Sequence, residues 1–543
     1  MSSTQTFHDL VPSQLRASWS ASGIYPDVPV FQLFERHAQA DPDWIAVIDA
    51  DGPISYGNMR ELALRLAAGL VRLGISEGDV IACQLPNSRY SCLVDLAVAA
   101  IGAIVLPFPV GRGHRDIQSL LATSHARGIV ITAKHYEFDV LDAVLTLRPQ
   151  LPALKHILLQ DAIIEHLADH PLGAHQLPTV DPNSVVRLLV SSGSEAAPKL
   201  VAYSHNALVG GRGQFLARLQ RPGRPMRAMF LVPLGSSFGS YATFGVLCTL
   251  GGSLVLPPEF SASETLWAVE HHRPTHLLGV STMFQRLLAS PLLAETDVSS
   301  LDAVVSGGAI IDPPTAARCA SELGCAFISL YGSADGVNCH TLLDDDISVS
   351  QHTLGTPNPS VCAIRIVDEN EADLPTGEQG EILGRGPMSP HCYVNAPDLD
   401  AQHRTSDGWV RTGDLGYLDQ DGRLRLAGRK KDIIIRGGAN LSPSEVEAAI
   451  AEHPEVTGVV CFGVADADLG QRLCAGVTLT RARPPLTLPK LVEFLRANGL
   501  ETRKLPEFLV VCEEFPLTPA GKVDKPALLA QLAGQACFSH PRR

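Results

Sequence analysis

From Phe31 onward the chain alternates between stretches with helical periodicity and short, uninterrupted apolar runs. Apolar residues recurring three or four positions apart make one face of a helix, while a short all-apolar run suits a strand buried on both faces. The segment Arg60 to Leu73 sets Leu62, Leu66, Ala67, Leu70 and Leu73 at helical spacing, Gly74 stops it, and Val80-Ile81-Ala82-Cys83 follows as a strand. Further strand-like runs fall at 128–132, 185–190, 228–232, 253–256 and 303–305. Such alternation specifies an α/β chain with largely parallel sheets. The absence of self-similarity at a period of roughly 20 to 50 residues argues against a solenoid or propeller.

After about Val361 the texture changes to short strands broken by Gly and Asp, as in CAIRIVDENEADLPTGEQGEILGRG, which predicts antiparallel hairpins. A second change comes at Gly428-Arg429-Lys430-Lys431-Asp432, a charged break followed by further αβ texture. The expected division is therefore 1–427, a hinge at 428–431, and a terminal unit at 432–543, the last of these large enough for its own core. With 543 residues, a single small module is excluded.

Lys+Arg 43 against Asp+Glu 57 gives a net charge of −14, so no general cationic field exists for nucleic acid or an anionic membrane. Twelve cysteines without a CxxC pair fit neither a disulfide scaffold nor a structural zinc site, and point to a reduced, cytoplasmic setting. The amino terminus, MSSTQTFHDLVPSQ, lacks the basic and apolar regions of a signal peptide. The most hydrophobic window, Leu93 to Val110, carries Asp95 and ends in Pro107 and Pro109, so it is expected to be a buried helix running into a strand rather than a membrane span. The imidazoles His271, His272 and His276 are interrupted by Arg273-Pro274, which predicts a helix end leading into a strand rather than a metal site.

Chemistry first shows at Val190-Ser191-Ser192-Gly193-Ser194-Glu195-Ala196-Ala197-Pro198-Lys199, after an apolar strand. Small hydroxyl residues and a Gly let backbone amides approach phosphate oxygens, and a following Lys neutralises them; the alternative is a plain Ser/Gly turn. Downstream come Leu330-Tyr331-Gly332-Ser333-Ala334-Asp335, Trp409-Val410-Arg411-Thr412-Gly413-Asp414, the GRKKD break, Arg436-Gly437-Gly438-Ala439-Asn440, and Pro519-Ala520-Gly521-Lys522-Val523-Asp524-Lys525. In order and spacing these motifs resemble the adenylate-forming superfamily of acyl-CoA synthetases, peptide-synthetase adenylation domains and luciferases, from Ile54 to Lys525.

That resemblance implies a fold and a set of roles. The fold would be a large amino-terminal domain of two stacked αβ sheet subdomains plus a distorted β-barrel, with a small mobile α+β cap. Lys522 would be the catalytic lysine bridging carboxylate and α-phosphate. Lys199 and the loop residues Ser191, Ser192, Gly193 and Ser194 would hold phosphates, and Asp335 would help hold magnesium. Asp414 would accept the ribose hydroxyls, Arg429 would contact ribose or phosphate, and Tyr331 would pack on adenine beside the Gly307-Gly308-Ala309 step, with Gly332 and Ser333 adjoining. Lys431 would be the hinge, and Gly438 would line the route of an incoming thiol. ATP, Mg2+ and CoA or phosphopantetheine are the implied cofactors, with a small carboxylic acid, and an acyl carrier protein as a further partner.

Three positions depart from the family pattern. Glu195 and Ala196 replace the last two residues of its Ser-Gly-Thr-Thr-Gly loop, and a carboxylate facing a triphosphate is repulsive. Ala334 and Asp335 replace the Thr and Glu of its Tyr-Gly-x-Thr-Glu motif, and Ser236 stands where many relatives carry His or an aromatic. The segment Gly235 to Thr243 holds no acid to bind an α-amino group, which leaves Ser236, Ser237, Phe238, Ser240 and Tyr241 as a mostly neutral lining. An uncharged aryl, alicyclic or short acyl acid is expected rather than an α-amino acid. Two readings remain: an ATP-dependent carboxylic acid ligase passing the acyl group to a thiol or an amine, or a catalytically weakened nucleotide- or acyl-binding relative.

Overall fold

The computed structural model describes residues 7–136, 138–163, 168–191, 198–308, 313–430, 434–436, 439–441, 443–466, 470–480, 486–498, 500, 504–518 and 523–532. Ser192, Gly193, Ser194, Glu195, Ala196, Ala309, Lys431, Gly438 and Lys522 lie outside the described residues.

Each sequence run that alternates in the predicted way becomes an element of one of two large sheets. The helix expected at Arg60 to Leu73 is Tyr56–Arg72, started one turn earlier because the Ser55 side chain accepts the Asn58 amide as an N-cap. The apolar window beginning at Leu93 is the helix Arg89–Ala100, buried all round, followed by the strand Ile104–Pro107. No described helix is long and apolar enough to cross a membrane. The helix Ala262–His272 ends with Arg273 in the left-handed region, and His276–Gly279 follows as a strand.

One sheet has six strands in the order Lys199–Ser204, Val185–Ser191, Ile104–Pro107, Val80–Gln84, Gly128–Ile131, His156–Leu159, all parallel except for the hairpin pairing of the first two. The other has eight, in the order Asn338–His340, Ala326–Gly332, Ala303–Gly307, His276–Gly279, Arg227–Phe230, Ser253–Val255, Ile45–Asp49, Gly52–Ser55, antiparallel only at its two edges. The crossovers bury both faces, which accounts for strands that are apolar throughout.

The hairpin texture after Val361 forms a four-stranded antiparallel sheet, Ala363–Val367, Gly380–Arg385, Val410–Leu418 and Leu424–Arg429. This sheet stands where the resemblance implied a distorted barrel, its strands pairing in sequence order. Beyond it, strands Ala439–Leu441, Ile434–Arg436, Gly470–Leu479, Val456–Asp466 and Phe508–Cys512 form a separate five-stranded sheet. Its cores, around Leu473, Leu491 and Phe508, draw on residues from Ile434 onward only.

Candidate active site

Both parallel sheets end their strands toward one cavity of about 240 Å³. Pro109 follows Ile104–Pro107, Ser191 ends Val185–Ser191, Val232 and Gly235 follow Arg227–Phe230, Val280 follows His276–Gly279, Gly307 and Gly308 close Ala303–Gly307, and Gly332 closes Ala326–Gly332. Such a crevice outside the carboxyl ends of parallel strands is where open α/β sheets bind ligands, since the loops there are free to vary while the strands fix their starting points. The third sheet adds Arg411, Thr412, Gly413, Asp414 and Arg429.

The third-sheet side is built around one buried carboxylate. Asp414, 4% exposed, stands inside Val410–Leu418, in register with Arg429 on the next strand. Arg429 Nε donates to Asp414 Oδ1 at 2.8 Å, and the Tyr331 hydroxyl donates to Oδ2 at 2.7 Å. Burial, with Asp414 beside it, pushes the Tyr331 phenol well above its ordinary range. A carboxylate has about four lone-pair sites, so Asp414 retains acceptor capacity for a vicinal diol. Glu381 braces the corner by accepting from the Gly413 amide at 3.1 Å and from Lys430 Nζ at 3.2 Å.

At the other end Lys199 begins the return strand of the hairpin, opposite Ser191. Its Nζ lies 3.3 Å from His403 Nε2 and 5.9 Å from the centre of the Tyr393 ring. The Tyr393 hydroxyl donates to Asp335 Oδ1, and the Asp335 amide donates to Ser333 Oγ at 3.2 Å. Burial and the Asp335 charge together push the Tyr393 phenol far up, so it remains a hydrogen-bond donor across any working pH. A cation and a carboxylate face one wall together, a pairing suited to a charged ligand with its own counter-ion.

The remaining wall is Ser236, Ser237, Phe238 and Tyr241. Ser236 Oγ donates to the Pro233 carbonyl at 2.7 Å and accepts the Gly239 amide at 2.9 Å, a tight turn that presents Phe238 and Tyr241 to the cavity. Two supports hold this turn from behind. Asn87 accepts the Leu234 amide at 2.8 Å and donates to the Val232 carbonyl at 3.0 Å, and Arg187 Nη2 donates to the Leu234 carbonyl at 3.1 Å.

Of the described residues expected at a site, the cavity gathers Ser191, Lys199, Ser236, Ser237, Phe238, Tyr241, Gly307, Gly308, Gly332, Ser333, Asp335, Asp414 and Arg429. Two others stand behind its wall. Ser240 is 2% exposed and spends its hydroxyl on the Ser237 carbonyl at 2.6 Å, while Tyr331 contributes through Asp414 rather than by lining the cavity. Sequence reasoning assigned no role to Arg112, Arg212, Tyr393, His403 or Arg411, all on the lining. Arg411 does lie in the quoted segment Trp409 to Asp414; of the others, the one available signal was Arg212, a charge after Gly210-Gly211 in an otherwise apolar stretch.

A family model described as AMP-binding enzyme matches residues 34–394, and one described as AMP-binding enzyme C-terminal domain matches residues 445–522. The medium-chain fatty-acid–CoA ligase of Escherichia coli (strain K12) is 31% identical over 97% of this chain and 93% of its own length. Triostin synthetase I of Streptomyces triostinicus is 32% identical over 97% of this chain and 98% of its own. Among solved structures, an amide bond synthetase from Marinactinospora thermotolerans superposes with a TM-score of 0.82 at 27% identity, covering 93% of this chain and all (100%) of that one.

Proposed function

Since the chain belongs to the AMP-binding enzyme family and is an acid ligase, we propose that it joins a carboxylic acid to ATP as an acyl-adenylate and then passes the acyl group to a thiol or an amine. The observation that carries this reading is one cavity lined by a cation suited to phosphates, Lys199, a carboxylate suited to a divalent ion, Asp335, an acceptor suited to a diol, Asp414, and a wall without carboxylates, Ser236 to Tyr241.

In the first half-reaction a carboxylate oxygen bonds to the α-phosphorus while the bond to the β-phosphate breaks and pyrophosphate leaves. Two anions must therefore approach in line, and the protein's part is to screen charge and fix the angle. Asp414 and Arg429 hold the ribose end. Lys199, with His403 beside it, screens the phosphates. Asp335, its carboxylate oriented by Tyr393, would supply a hard oxygen ligand to Mg2+, which would contribute positive charge against the departing pyrophosphate. Lys522 is assigned the bridging charge on its sequence context alone. In the second half-reaction a thiol sulfur or amine nitrogen bonds to the acyl carbon and AMP leaves. CoA or a carrier-protein phosphopantetheine is the acceptor for the thiol route, and an amine the acceptor for the other, in line with relatives named for CoA ligation and for amide bond synthesis.

The tail pocket supports an aryl, alicyclic or short acyl acid: no carboxylate among its described residues could pair with an α-amino group. The domain division at 428–431 and a hinge at Lys431 belong to the same proposal. The reading as a weakened binding relative draws no support from these relatives, which are named as a ligase and synthetases. The test is pyrophosphate release with ATP, Mg2+ and hydroxylamine as surrogate acceptor, screened over carboxylic acids. Acid-dependent release that disappears in Lys522→Ala is the expected result; its absence with every acid overturns the proposal.

A further inference from the structure

Four arginines are buried among the described residues: Arg16, Arg187, Arg212 and Arg404. Three of them hold a carboxylate, Arg16 with Asp9 at 2.9 Å, Arg187 with Asp95 at 2.9 Å and Arg404 with Asp400 at 3.3 Å. That pattern is required by physics, because an ionised group out of water is tolerated only when paired. Arg212 breaks it. At 3% exposure it has no carboxylate partner among the described residues, and it is the one of the four that lines the ligand cavity.

What surrounds Arg212 fixes its position without neutralising it. Nη2 donates to the Ser237 carbonyl at 2.8 Å and to Ser240 Oγ at 3.0 Å. Nη1 has only the Tyr203 hydroxyl at 3.5 Å, and Nε is buried with no partner. The guanidinium lies 4.2 Å from the centre of the Tyr241 ring and 5.3 Å from that of Tyr203. Its backbone cannot withdraw: a Cβ at Gly211 would meet the Met388 amide nitrogen at 2.2 Å, and one at Gly210 the Ile24 carbonyl at 2.7 Å. The preceding glycines thus let the chain press between two neighbours and aim the next side chain at the Ser237–Tyr241 turn.

We infer that Arg212 is the specificity-determining residue of the acid pocket, and that the acid carries an acceptor oxygen on its tail, away from the carboxylate being activated. The inference rests on the ligase reading above. Arg212 is bonded to the Ser237–Tyr241 turn, which the ligase reading gives to the tail of the acid, while that reading gives Lys199 and Asp335 to the phosphate end. A guanidinium with unused N–H donors discriminates by leaving those donors unpaired when the acid lacks an acceptor. A hydroxyl or keto oxygen and a second carboxylate share this chemistry.

The experiment compares matched acids in the pyrophosphate-release assay: hydroxylated aryl acids against their deoxy counterparts, and dicarboxylic acids against their half methyl esters. The first pair reads a neutral acceptor and the second an anionic one. The wild-type protein should prefer the acceptor-bearing member of at least one pair by about tenfold or more in kcat/KM. In Arg212→Met that ratio should fall to within about twofold whatever happens to the absolute rates, and Arg212→Lys, which keeps the charge, should lie between. If Arg212→Met does not fold, the Lys variant and the wild-type ratios decide. Ratios near one in the wild-type protein, or ratios unchanged in the variants, overturn the inference; absence of acid-dependent release with every acid is instead the failure of the ligase reading.

Discussion

Replacing Arg187 with Met tests how the acid-pocket turn is anchored. Arg187 is 1% exposed in the strand Val185–Ser191, Asp95 is 4% exposed on the helix Arg89–Ala100, and Asp95 Oδ2 accepts from Arg187 Nη1 at 2.9 Å. Removing one partner leaves an uncompensated buried charge, which typically destabilises by about 3–5 kcal/mol, while replacing both with apolar residues is often neutral. Arg187→Met should therefore lose about 3–5 kcal/mol, and Arg187→Met with Asp95→Leu should recover most of it. All four tryptophans, Trp19, Trp44, Trp267 and Trp409, precede the break at Gly428, so tryptophan fluorescence during urea unfolding reports the large amino-terminal portion. The double variant should keep a functional defect after stability returns. The Leu234 carbonyl has lost its Arg187 donor while its amide is still held by Asn87, so the Ser236–Tyr241 turn is loosened and KM for the acid rises. A single variant within about 1 kcal/mol of wild type, or a double variant no better than the single, would refute the argument.

Other expectations follow from the same contacts. Tyr331→Phe removes the hydroxyl bonded to Asp414, a bond to a charged group worth about 1.5–3 kcal/mol, and should raise KM for ATP about tenfold or more in steady-state kinetics while leaving KM for the acid nearly unchanged. Burial lowers His205 and His340 to about 3, and His276 and His391 to about 4, so all four are neutral in the folded protein near neutral pH. Above about pH 6.5 they are neutral in both states; below it the unfolded chain binds protons that the folded chain refuses, so stability falls from about pH 6.5 toward about pH 4, by about 1.4 kcal/mol per pH unit for each histidine. Urea midpoints at pH 7.5, 6.5 and 5.5 should fall slightly over the first step, where the unfolded histidines are only half protonated, and much more over the second; a midpoint that holds or rises at pH 5.5 contradicts this. Lys522→Ala should slow acid-dependent pyrophosphate release by about a hundredfold or more with an unchanged tryptophan unfolding curve, as expected for a charge used only in the transition state.

The strands and helices were legible because hydrophobic period is a local property: Tyr56–Arg72, Arg89–Ala100 and Val80–Gln84 all stand where apolar spacing put them. That Ser191, Lys199, Asp335 and Asp414 meet at one cavity was foreshadowed too, since each lies in a short segment whose residue types stand out within a few consecutive positions. Arg187 gave a partial clue, a charge inside a buried strand that required some partner, but its partner Asp95 lies on another element and no spacing names it. The sequence by itself thus determined the α/β class and the order of the sheets along the chain. The tertiary structure alone decided that the Tyr331 hydroxyl bonds to Asp414, that Ser240 stands behind the wall it was expected to line, and that Arg212, without a carboxylate partner among the described residues, lines the cavity. Those outcomes depend on which side chains from distant strands meet at the carboxyl ends of two sheets, and burial and charge pairing there are summed over neighbours in space, not in sequence.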